Sequence, residues 1–372
     1  MRFIHTADWQ IGKPFKQFGD RESVLRQARL VAIENIGHLA AKEGATHVLV
    51  AGDIYDTEAP TPRTLLEPLE RMRRFSDVEW HLLPGNHDPH RPKGVWDRVR
   101  ESGTPTNVYL HLTAEPVAFG PAATLLPAPL TRKSEGGDLT EWMDRAETVP
   151  GAIRVGVAHG SVVGFGSGGE ATNPIDPRRP ALAGLEYLAL GDWHRTVQIG
   201  PSIWYSGTPE PDRAGGQEAG QALVVDIPGP GALANVVSHN VGTYRWLTIE
   251  DHLSDTTEFN DLETRLRALP ELSSTILRLW LKGTLPLAGR AELDRRLLGI
   301  AAAMFHLDVD DSSLSIRPSA TDLELIDFGG VLRHAADRLK SMTEDTAAGL
   351  TEKRRAEDAL VQLFVMAVGT GG

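Results

Sequence analysis

The sequence of 372 residues contains no cysteine. The chain can therefore form no disulfide, thiolate metal site or cysteine nucleophile. It also lacks an apolar run approaching the roughly 18–20 residues of a membrane span, and its N-terminus lacks the basic and then apolar pattern of a signal peptide. Together with an ordinary charged fraction of 24%, these absences predict a cytoplasmic globular protein.

Lysine and arginine, 38 in total, are outnumbered by the 50 aspartates and glutamates, and the formal net charge is −12. A dedicated duplex-binding module is more often basic, so any contact with nucleic acid has to be local or assisted by a metal or a partner. The alternative is that the negative charge serves solubility. The chain is also too long for one hydrophobic core of ordinary size, which predicts two or three domains.

One arrangement recurs along the first part of the chain: a short apolar run ends in small residues and then in polar groups suited to metals. Each run has the length and composition of a strand and is followed by a turn signal. The stretches are RFIHTADWQ, THVLVAGDIYD, EWHLLPGNHD, IRVGVAHG and EYLALGDWH. Helices predicted at 21–43 and around 61–75 alternate with them, which indicates an α/β layer architecture.

In α/β sheets, ligands bind beyond the carboxyl ends of strands, and all five polar clusters fall there. Each cluster alone has a plainer interpretation, since an aspartate can cap a helix, a histidine can hydrogen-bond within a core and GNHD can form a turn. Together they offer oxygen and nitrogen ligands without sulfur, namely Asp8, Asp53, Asn86, His159, Asp192 and His194. This set suits two Mn²⁺ ions, with Mg²⁺, Fe²⁺ or Zn²⁺ as alternatives.

The order of these motifs resembles that of calcineurin-like metallophosphoesterases, which carry D-x-H, GDxxD, GNH[DE], H and GHxH. This sequence has DWQ at 8–10, GDIYD at 52–56, GNHD at 85–88, HG at 159–160 and GDWH at 191–194. The opening FIHTADWQIGKPF and the later YSGTPEPDR resemble the SbcD-type nuclease subunit of nuclease–ATPase complexes that repair DNA double-strand breaks. The resemblance implies two mixed β-sheets packed face to face, with flanking helices outside.

The resemblance also implies a role for each matched position. One metal would take Asp8, Gln10, Asp53 and His194, and the other would take Asp53, Asn86, His159 and Asp192, so that Asp53 bridges them. Two such ions clamp a phosphate and lower the pKa of a water between them. His87 would face the phosphate as a general acid, and Asp56 would hydrogen-bond it. The plainer alternative for Asp56 is a turn-capping aspartate.

Two positions depart from the family pattern. Gln10 stands where the family has histidine, and Asp192 replaces the first histidine of GHxH. Both changes favour oxygen ligation and hence Mn²⁺ or Mg²⁺ over Zn²⁺. The competing interpretation is that one metal site is degraded, which would leave a one-metal or inactive scaffold. The intact His87 and Asp56 argue against it.

After the motifs, residues 221–241 predict a hairpin that finishes the sandwich, and strands then alternate with helices. We predict a catalytic domain (1–242), a small α/β capping domain (243–320) and a helical tail (321–372), with two helices between residues 327 and 368. In the resembled family the tail docks on the coiled-coil base of an SbcC-type ATPase, whereas the alternative is packing on its own domain. The loop at 160–180 either shapes the substrate or is a mobile surface segment.

The leading hypothesis is a metal-dependent phosphodiesterase that processes DNA ends as an exonuclease or endonuclease in DNA repair and recombination. Its expected partners are DNA ends and an SbcC-like coiled-coil ATPase, and a homodimer is a further expectation; no membrane is involved. One alternative is a stand-alone phosphoesterase for small nucleotides or phosphomonoesters, and another is a DNA-end-binding scaffold with a degraded metal site. The cap and tail favour the nuclease, because a small substrate has less need of them.

Overall fold

The computed structural model describes residues 1–166, 172–216, 218–254, 256–326 and 330–369. They form two compact units, Met1–Trp246 and Leu247–Gly372. The division falls close to the boundary predicted at residue 242, and the further separation of cap and tail stays a prediction. In the described part of the chain, no helix has both the length and the apolar character that crossing a membrane requires.

The first unit contains most of the strands. Its helices are α1 (Glu22–Glu43), α2 (Pro62–Arg73), α3 (Val95–Glu101) and α4 (Arg179–Ala183), with 3₁₀ turns at Lys16–Arg21 and Glu141–Arg145. Its strands are β1 (Arg2–Thr6), β2 (His47–Val50), β3 (Glu79–Leu82), β4 (Val108–Leu110), β5 (Val117–Ala118), β6 (Ala123–Ala128), β7 (Ile153–His159), β8 (Ser161–Val162), β9 (Pro174–Ile175), β10 (Tyr187–Gly191), β11 (Thr196–Gly200), β12 (Ile203–Ser206), β13 (Ala219–Asp226) and the first part of β14 (Asn235–Leu253). The two predicted helices are confirmed as α1 and α2.

These strands form two mixed sheets. In the first sheet β1 to β4 pair in parallel, and the predicted hairpin, β13 with β14, adds antiparallel strands beside β1. In the second sheet β6, β7, β10 and β12 pair in parallel, with β5 and β11 antiparallel at the edges. Within the 160–180 loop, β8 pairs with β9; residues 167–171 lie outside the described residues, and the role of the loop stays a prediction.

The two sheets pack face to face because successive side chains of a strand point to opposite faces. Phe3 and Leu49 of the first sheet share one buried cluster with Val155 and Ala189 of the second, and we call this cluster the inner layer. Alternate residues such as Ile4 point outward and pack under α1 and α2. The predicted sandwich of two mixed sheets with flanking helices is confirmed.

The second unit has its own core. Its elements are the end of β14, α5 (Thr256–Arg267), β15 (Thr275–Leu285), α6 (Leu287–Ala301), β16 (His306–Ile316), α7 (Ala320–Ile326), α8 (Val331–Glu344) and α9 (Leu350–Gly369). The stretch RWLTI belongs to β14, which continues from the hairpin, and so it is not a separate strand. The two helices predicted between residues 327 and 368 are confirmed as α8 and α9, and α7 precedes them; residues 327–329 lie outside the described part. Leu323, Leu360 and Phe364 of the tail pack with Leu287 and Ile316 of the same unit.

Candidate metal centre

The candidate ligands follow the carboxyl ends of strands in both sheets. Asp8 follows β1, Asp53 follows β2, Asn86 follows β3, and His159 ends β7, while Asp192 follows β10. Since β1 to β3 are parallel, as are β7 and β10, their ends meet at one edge of the sandwich. Ligand atoms of Asp8, Asp53 and His159, all buried, lie within 4.8 Å of one another.

The backbone at this edge is conformationally unusual. Among described residues other than glycine, φ is positive at seven positions, and four of these are candidate ligands: Asp8 (56°), Gln10 (44°), Asp53 (55°) and Asp192 (103°). Such left-handed conformations cost free energy for residues with a Cβ, and they cluster at functional sites. The turns after β1, β2 and β10 thus aim polar side chains inward at a local energetic cost.

Two glycines allow the ligands to approach one another. A Cβ on Gly52, where φ is 92°, would lie 2.2 Å from Nδ1 of His159, and a Cβ on Gly85 would lie 2.2 Å from Oδ1 of Asp53. Neither position has room for a side chain. The glycines of GDIYD and GNHD are therefore required by the packing of the centre itself.

His159 presents a lone pair to the centre. Its Nδ1 lies 2.9 Å from the Ala51 carbonyl oxygen, which can only accept, so Nδ1 carries the proton and donates it. In the neutral ring Nε2 is then unprotonated, and it lies 3.6 Å from Oδ1 of Asp53 and 3.9 Å from Oδ1 of Asp192. Nε2 is buried and has no hydrogen-bond partner among the described residues.

Asn86 offers a second buried acceptor. Its Nδ2 donates to Oδ1 of Asp192 at 3.1 Å, and its Oδ1 is buried without a partner in the described structure. Ser161 donates to the other oxygen of Asp192 at 2.8 Å. The carboxylate of Asp192 and the amide of Asn86 thus hold each other in position.

The electrostatics of the centre favour the binding of positive charge, either a proton or a cation. Burial raises the pKa of Asp8 to about 6. Burial opposes charging of His159, yet the carboxylates of Asp53, Asp8 and Asp192 outweigh it and raise the pKa of His159 to about 9. A divalent cation would supply the charge that a proton on His159 otherwise supplies.

The donor set therefore fits a metal ion on the side of Asp53, Asn86, His159 and Asp192. Nε2 of His159 and Oδ1 of Asn86 are both buried without a partner in the described structure, beside the carboxylates of Asp53 and Asp192, and a buried acceptor without a partner is costly unless a ligand satisfies it. The donors are oxygens plus one imidazole nitrogen, without sulfur, which suits a hard or borderline divalent ion.

The side chains on the other side of the centre, Gln10 and His194, already have polar contacts with protein groups. Lys13 donates to the amide oxygen of Gln10 at 2.8 Å, and the amide nitrogen of Gln10 lies 3.3 Å from Nε2 of His194. Lys13 is in turn 2.9 Å from Asp212. Gln10 thus stands at the predicted ligand position, but it would have to exchange its contact with Lys13 for one with an ion.

His87 lies beside the centre, with its side chain 43% exposed. Its Nδ1 lies 2.9 Å from the backbone carbonyl oxygen of Asp56, whereas the Asp56 carboxylate is 3.9 Å away. The hydrogen bond expected from the Asp56 side chain is therefore made by its main chain. Because the carbonyl can only accept, Nδ1 donates and Nε2 faces away from Asp56, 4.0 Å from Asp53.

Several supporting residues were not predicted from the sequence. The buried carboxylate of Asp88 accepts from the backbone nitrogens of Tyr55 and Gly85 and so joins the GDIYD and GNHD turns. Asp212 lies 3.6 Å from both Nδ1 of His194 and the buried guanidinium of Arg29. In the sequence, their supporting roles were indicated only by the positions of Asp212 in YSGTPEPDR and of Asp88 in GNHD.

Comparison with known proteins gives a family match in the first half of the chain. Residues 1–179 match the family model described as calcineurin-like phosphoesterase. The D subunit of the nuclease SbcCD from Rhodobacter capsulatus is 28% identical over 263 residues, which cover 57% of this chain and 62% of that protein. The chain therefore spans less than two thirds of the length of this relative.

Two further similarities are shorter or more distant. The "DNA double-strand break repair protein Mre11" of Saccharolobus solfataricus is 26% identical over 96 residues, 25% of this chain and 24% of that protein. The crystal structure of TT1561 of Thermus thermophilus matches with a TM-score of 0.40 and 14% identity, over 64% of this chain and 98% of that chain.

Proposed function

We propose, from the premise that the first half of the chain is a calcineurin-like phosphoesterase domain similar to SbcD-type nucleases, that the protein is a metal-dependent phosphodiesterase acting on DNA. The observation that carries the proposal is Nε2 of His159, which is buried, has no hydrogen-bond partner in the described structure and lies close to two carboxylates. A hydrogen-bonded structural role would have given this nitrogen a partner.

The residues that would hold metal are Asp8, Gln10, Asp53, Asn86, His159, Asp192 and His194, with Asp53 shared between two ions. Bound there, two divalent ions would polarise a phosphate and make a nucleophile available near neutral pH. We propose Mn²⁺ as the natural ion, because the donors are mainly oxygens. Within this scheme Asp192 contributes charge, and the Gln10 position is the weaker one because Lys13 competes for its oxygen.

His87 would act on the leaving group. Its ring is fixed through Nδ1 by the main chain of Asp56, and the half-exposed side chain leaves Nε2 accessible to a substrate. An imidazolium in this position can donate the proton of Nε2 to the leaving oxygen. Asp56 would support the ring mainly through its carbonyl oxygen, with its carboxylate as a more distant electrostatic partner.

DNA as substrate is supported by the names of two relatives, which describe a nuclease and a DNA double-strand break repair protein. Trp193 adjoins Asp192 with 38% of its surface exposed and packs edge-on against Phe165, 5.3 Å between ring centroids. An exposed indole of this kind can stack on a base. Trp9, in contrast, is buried, and its indole nitrogen donates to Thr6.

The test is hydrolysis in Mn²⁺ of linear duplex DNA, single-stranded DNA and bis-p-nitrophenyl phosphate, side by side. A DNA nuclease cleaves the nucleic acids, and Trp193→Ala weakens DNA cleavage while sparing the small diester. Cleavage of the small diester alone would favour a stand-alone phosphoesterase. Metal binding without any hydrolysis would favour a scaffold, and neither metal nor hydrolysis would refute the proposal.

We also propose an SbcC-like ATPase as partner, contacting the tail helices. Val331 and Leu350 are 83% and 89% exposed there. Truncation of the tail is a poor test, because its other apolar residues complete the core of the second unit. Val331→Asp and Leu350→Asp should instead abolish co-purification with a co-expressed ATPase and leave hydrolysis unchanged; unchanged co-purification would refute this contact.

A further inference from the structure

A second cluster of metal-binding side chains lies at the opposite ends of the same strands. His47 begins β2, Glu79 begins β3, and His81 lies within β3, whereas Asp53 and Asn86 follow the carboxyl ends of these strands. None of the three residues contacts the metal centre described above. The cluster needs an explanation of its own.

The two histidines point into the inner layer. By strand alternation His47 is on the same face as Leu49, and His81 is on the same face as Leu83, and both leucines belong to the inner layer. His47 and His81 are 7% and 2% exposed and lie 4.9 and 5.0 Å from the ring of Phe119. Adjacent imidazoles in an apolar layer are costly unless their nitrogens are satisfied.

Three potential ligand atoms converge in this cluster. Nδ1 of His47 lies 3.2 Å from Nε2 of His81, and it also lies 3.2 Å from Oε2 of Glu79. The third side of the triangle, from Nε2 of His81 to Oε2 of Glu79, is 3.7 Å. One N–H bond can point along only one of these sides, whereas a cation can satisfy three lone pairs at once.

The second ring nitrogen of His81 and the second carboxylate oxygen of Glu79 also have hydrogen-bond partners. Nδ1 of His81 lies 3.0 Å from Nε2 of His111, and Oε1 of Glu79 lies 3.4 Å from the hydroxyl of Tyr109. If Nδ1 of His81 donates to His111, Nε2 of His81 is a lone pair that faces the triangle. Metal-binding histidines commonly donate their other N–H to such a partner.

We propose that His47, Glu79 and His81 bind a divalent zinc-type ion through Nδ1, Oε2 and Nε2. Tetrahedral zinc with Zn–N distances of about 2.0–2.1 Å has ligand atoms about 3.3–3.4 Å apart, close to the observed triangle. The side chain of Glu79 is 44% exposed, so the fourth position can be taken by water. Two imidazoles and one carboxylate favour zinc over Mn²⁺ or Mg²⁺, in contrast to the oxygen-rich centre.

The ion would join the start of β2 to the start of β3 and so stabilise the edge of the sandwich remote from the metal centre. His111 would act as a positioning residue, because it contacts His81 and not the triangle. This role is independent of phosphodiesterase activity. The two sites should therefore be separable by substitution.

The experiment measures zinc in the full chain carrying Asp53→Asn, which weakens the phosphodiesterase centre. After chelation and dialysis against zinc, this variant should retain one tightly bound ion, and Co²⁺ in its place should show a tetrahedral absorption spectrum. Adding Glu79→Gln or His47→Gln should lower zinc affinity by on the order of 100-fold or more, and His111→Phe by about 10–100-fold. Glu115→Gln, an exposed glutamate that contacts only Thr113 in the described structure, is the matched control.

In the otherwise native chain, Glu79→Gln should leave hydrolysis of the small phosphodiester unchanged and abolish the rise in melting temperature on zinc addition. A folded Asp53→Asn chain that binds no zinc would overturn the proposal. So would full zinc affinity in either folded double variant. Circular dichroism of each protein confirms that it is folded before metal is added.

Discussion

The two ends of the inner layer both hold buried polar groups, yet carboxylates dominate one end and imidazoles the other. At the end with Asp8 and His159, which we call the carboxylate end, burial raises the pKa of Asp8 to about 6, and the surrounding carboxylates raise the pKa of His159 to about 9. At the end with His47, His81 and His111, the histidine end, burial lowers the pKa of His111 to about 4. One end concentrates negative charge, and the other holds neutral imidazoles.

This contrast would let one sandwich select different ions at the two proposed sites. Carboxylates that the fold holds close together repel one another unless a cation lies between them, and they bind hard ions well. Neutral imidazoles impose no such charge demand, but they offer nitrogen lone pairs that borderline ions prefer. The same strands therefore carry an oxygen-rich site at one end and a nitrogen-rich cluster at the other.

Among the substitutions considered, Asp53→Asn should have the strongest consequence, because it disrupts the proposed metal centre at the carboxylate end. This carboxylate is the one shared by the two proposed ions, so its removal should lower Mn²⁺ affinity and hydrolysis by more than about 100-fold. Elemental analysis and an assay with bis-p-nitrophenyl phosphate measure both. Asp226→Asn, far from the centre and paired with Arg2, is the control, and retained activity in Asp53→Asn would contradict the assignment.

A second prediction, at the same end, is that His87 serves catalysis and not metal binding. His87→Ala should lower turnover by on the order of 100-fold or more, because a general acid is lost, while Mn²⁺ content stays near that of the native protein. Asp56→Asn should have a much smaller effect, since the ring is held by the main-chain carbonyl. Loss of metal in His87→Ala, or equal loss of turnover in Asp56→Asn, would show that these roles are misassigned.

A third prediction concerns acid sensitivity of the inner layer, tested at His5, which belongs to neither end. Burial lowers the pKa of His5 to about 3, and its Nδ1 lies 2.9 Å from the Tyr187 hydroxyl. A histidine whose pKa is lower in the folded state stabilises the fold above its unfolded pKa of about 6.5, and this contribution is lost as the pH falls toward 3.

Between pH 7 and pH 4.5, the lost contribution of His5 to the free energy of unfolding should be about 2–3 kcal/mol. Urea unfolding at both pH values, in the presence of a chelator, measures it. His5→Gln should lose less stability over this range than the native chain. Identical pH dependence in the two proteins would show that His5 is not kept neutral by the fold.

The smallest effect is expected at Lys13. Lys13→Met removes a positive charge and frees the oxygen of Gln10, so it should strengthen Mn²⁺ binding by about 1 kcal/mol, or roughly fivefold. Lys16→Met, an exposed lysine nearby, is the control. Gln10→His should add to the gain by supplying an imidazole. Unchanged or weaker Mn²⁺ binding in Lys13→Met would mean that Lys13 supports the site and does not compete with it.

The general architecture and the candidate ligands followed from short local patterns. A strand of alternating faces and a turn motif directly after it are encoded within about ten residues, and parallel strand ends meet at one edge, so Asp8, Asp53, Asn86, His159 and Asp192 could be grouped from the sequence alone. The additional helix α7 and the single long strand β14 were less predictable, because propensity sets element boundaries poorly where tertiary packing decides them.

Periodicity and neighbours in the chain therefore predict an α/β layer architecture and the set of polar groups at its carboxylate end, whereas the sandwich of two sheets was implied only by the family resemblance. Tertiary packing alone sets three further contacts: Lys13 engages Gln10 and Asp212, the Asp56 carbonyl and not its carboxylate holds His87, and His47 meets His81 and Glu79. These contacts depend on strand register and on side-chain packing between distant segments, and no local pattern encodes those distances.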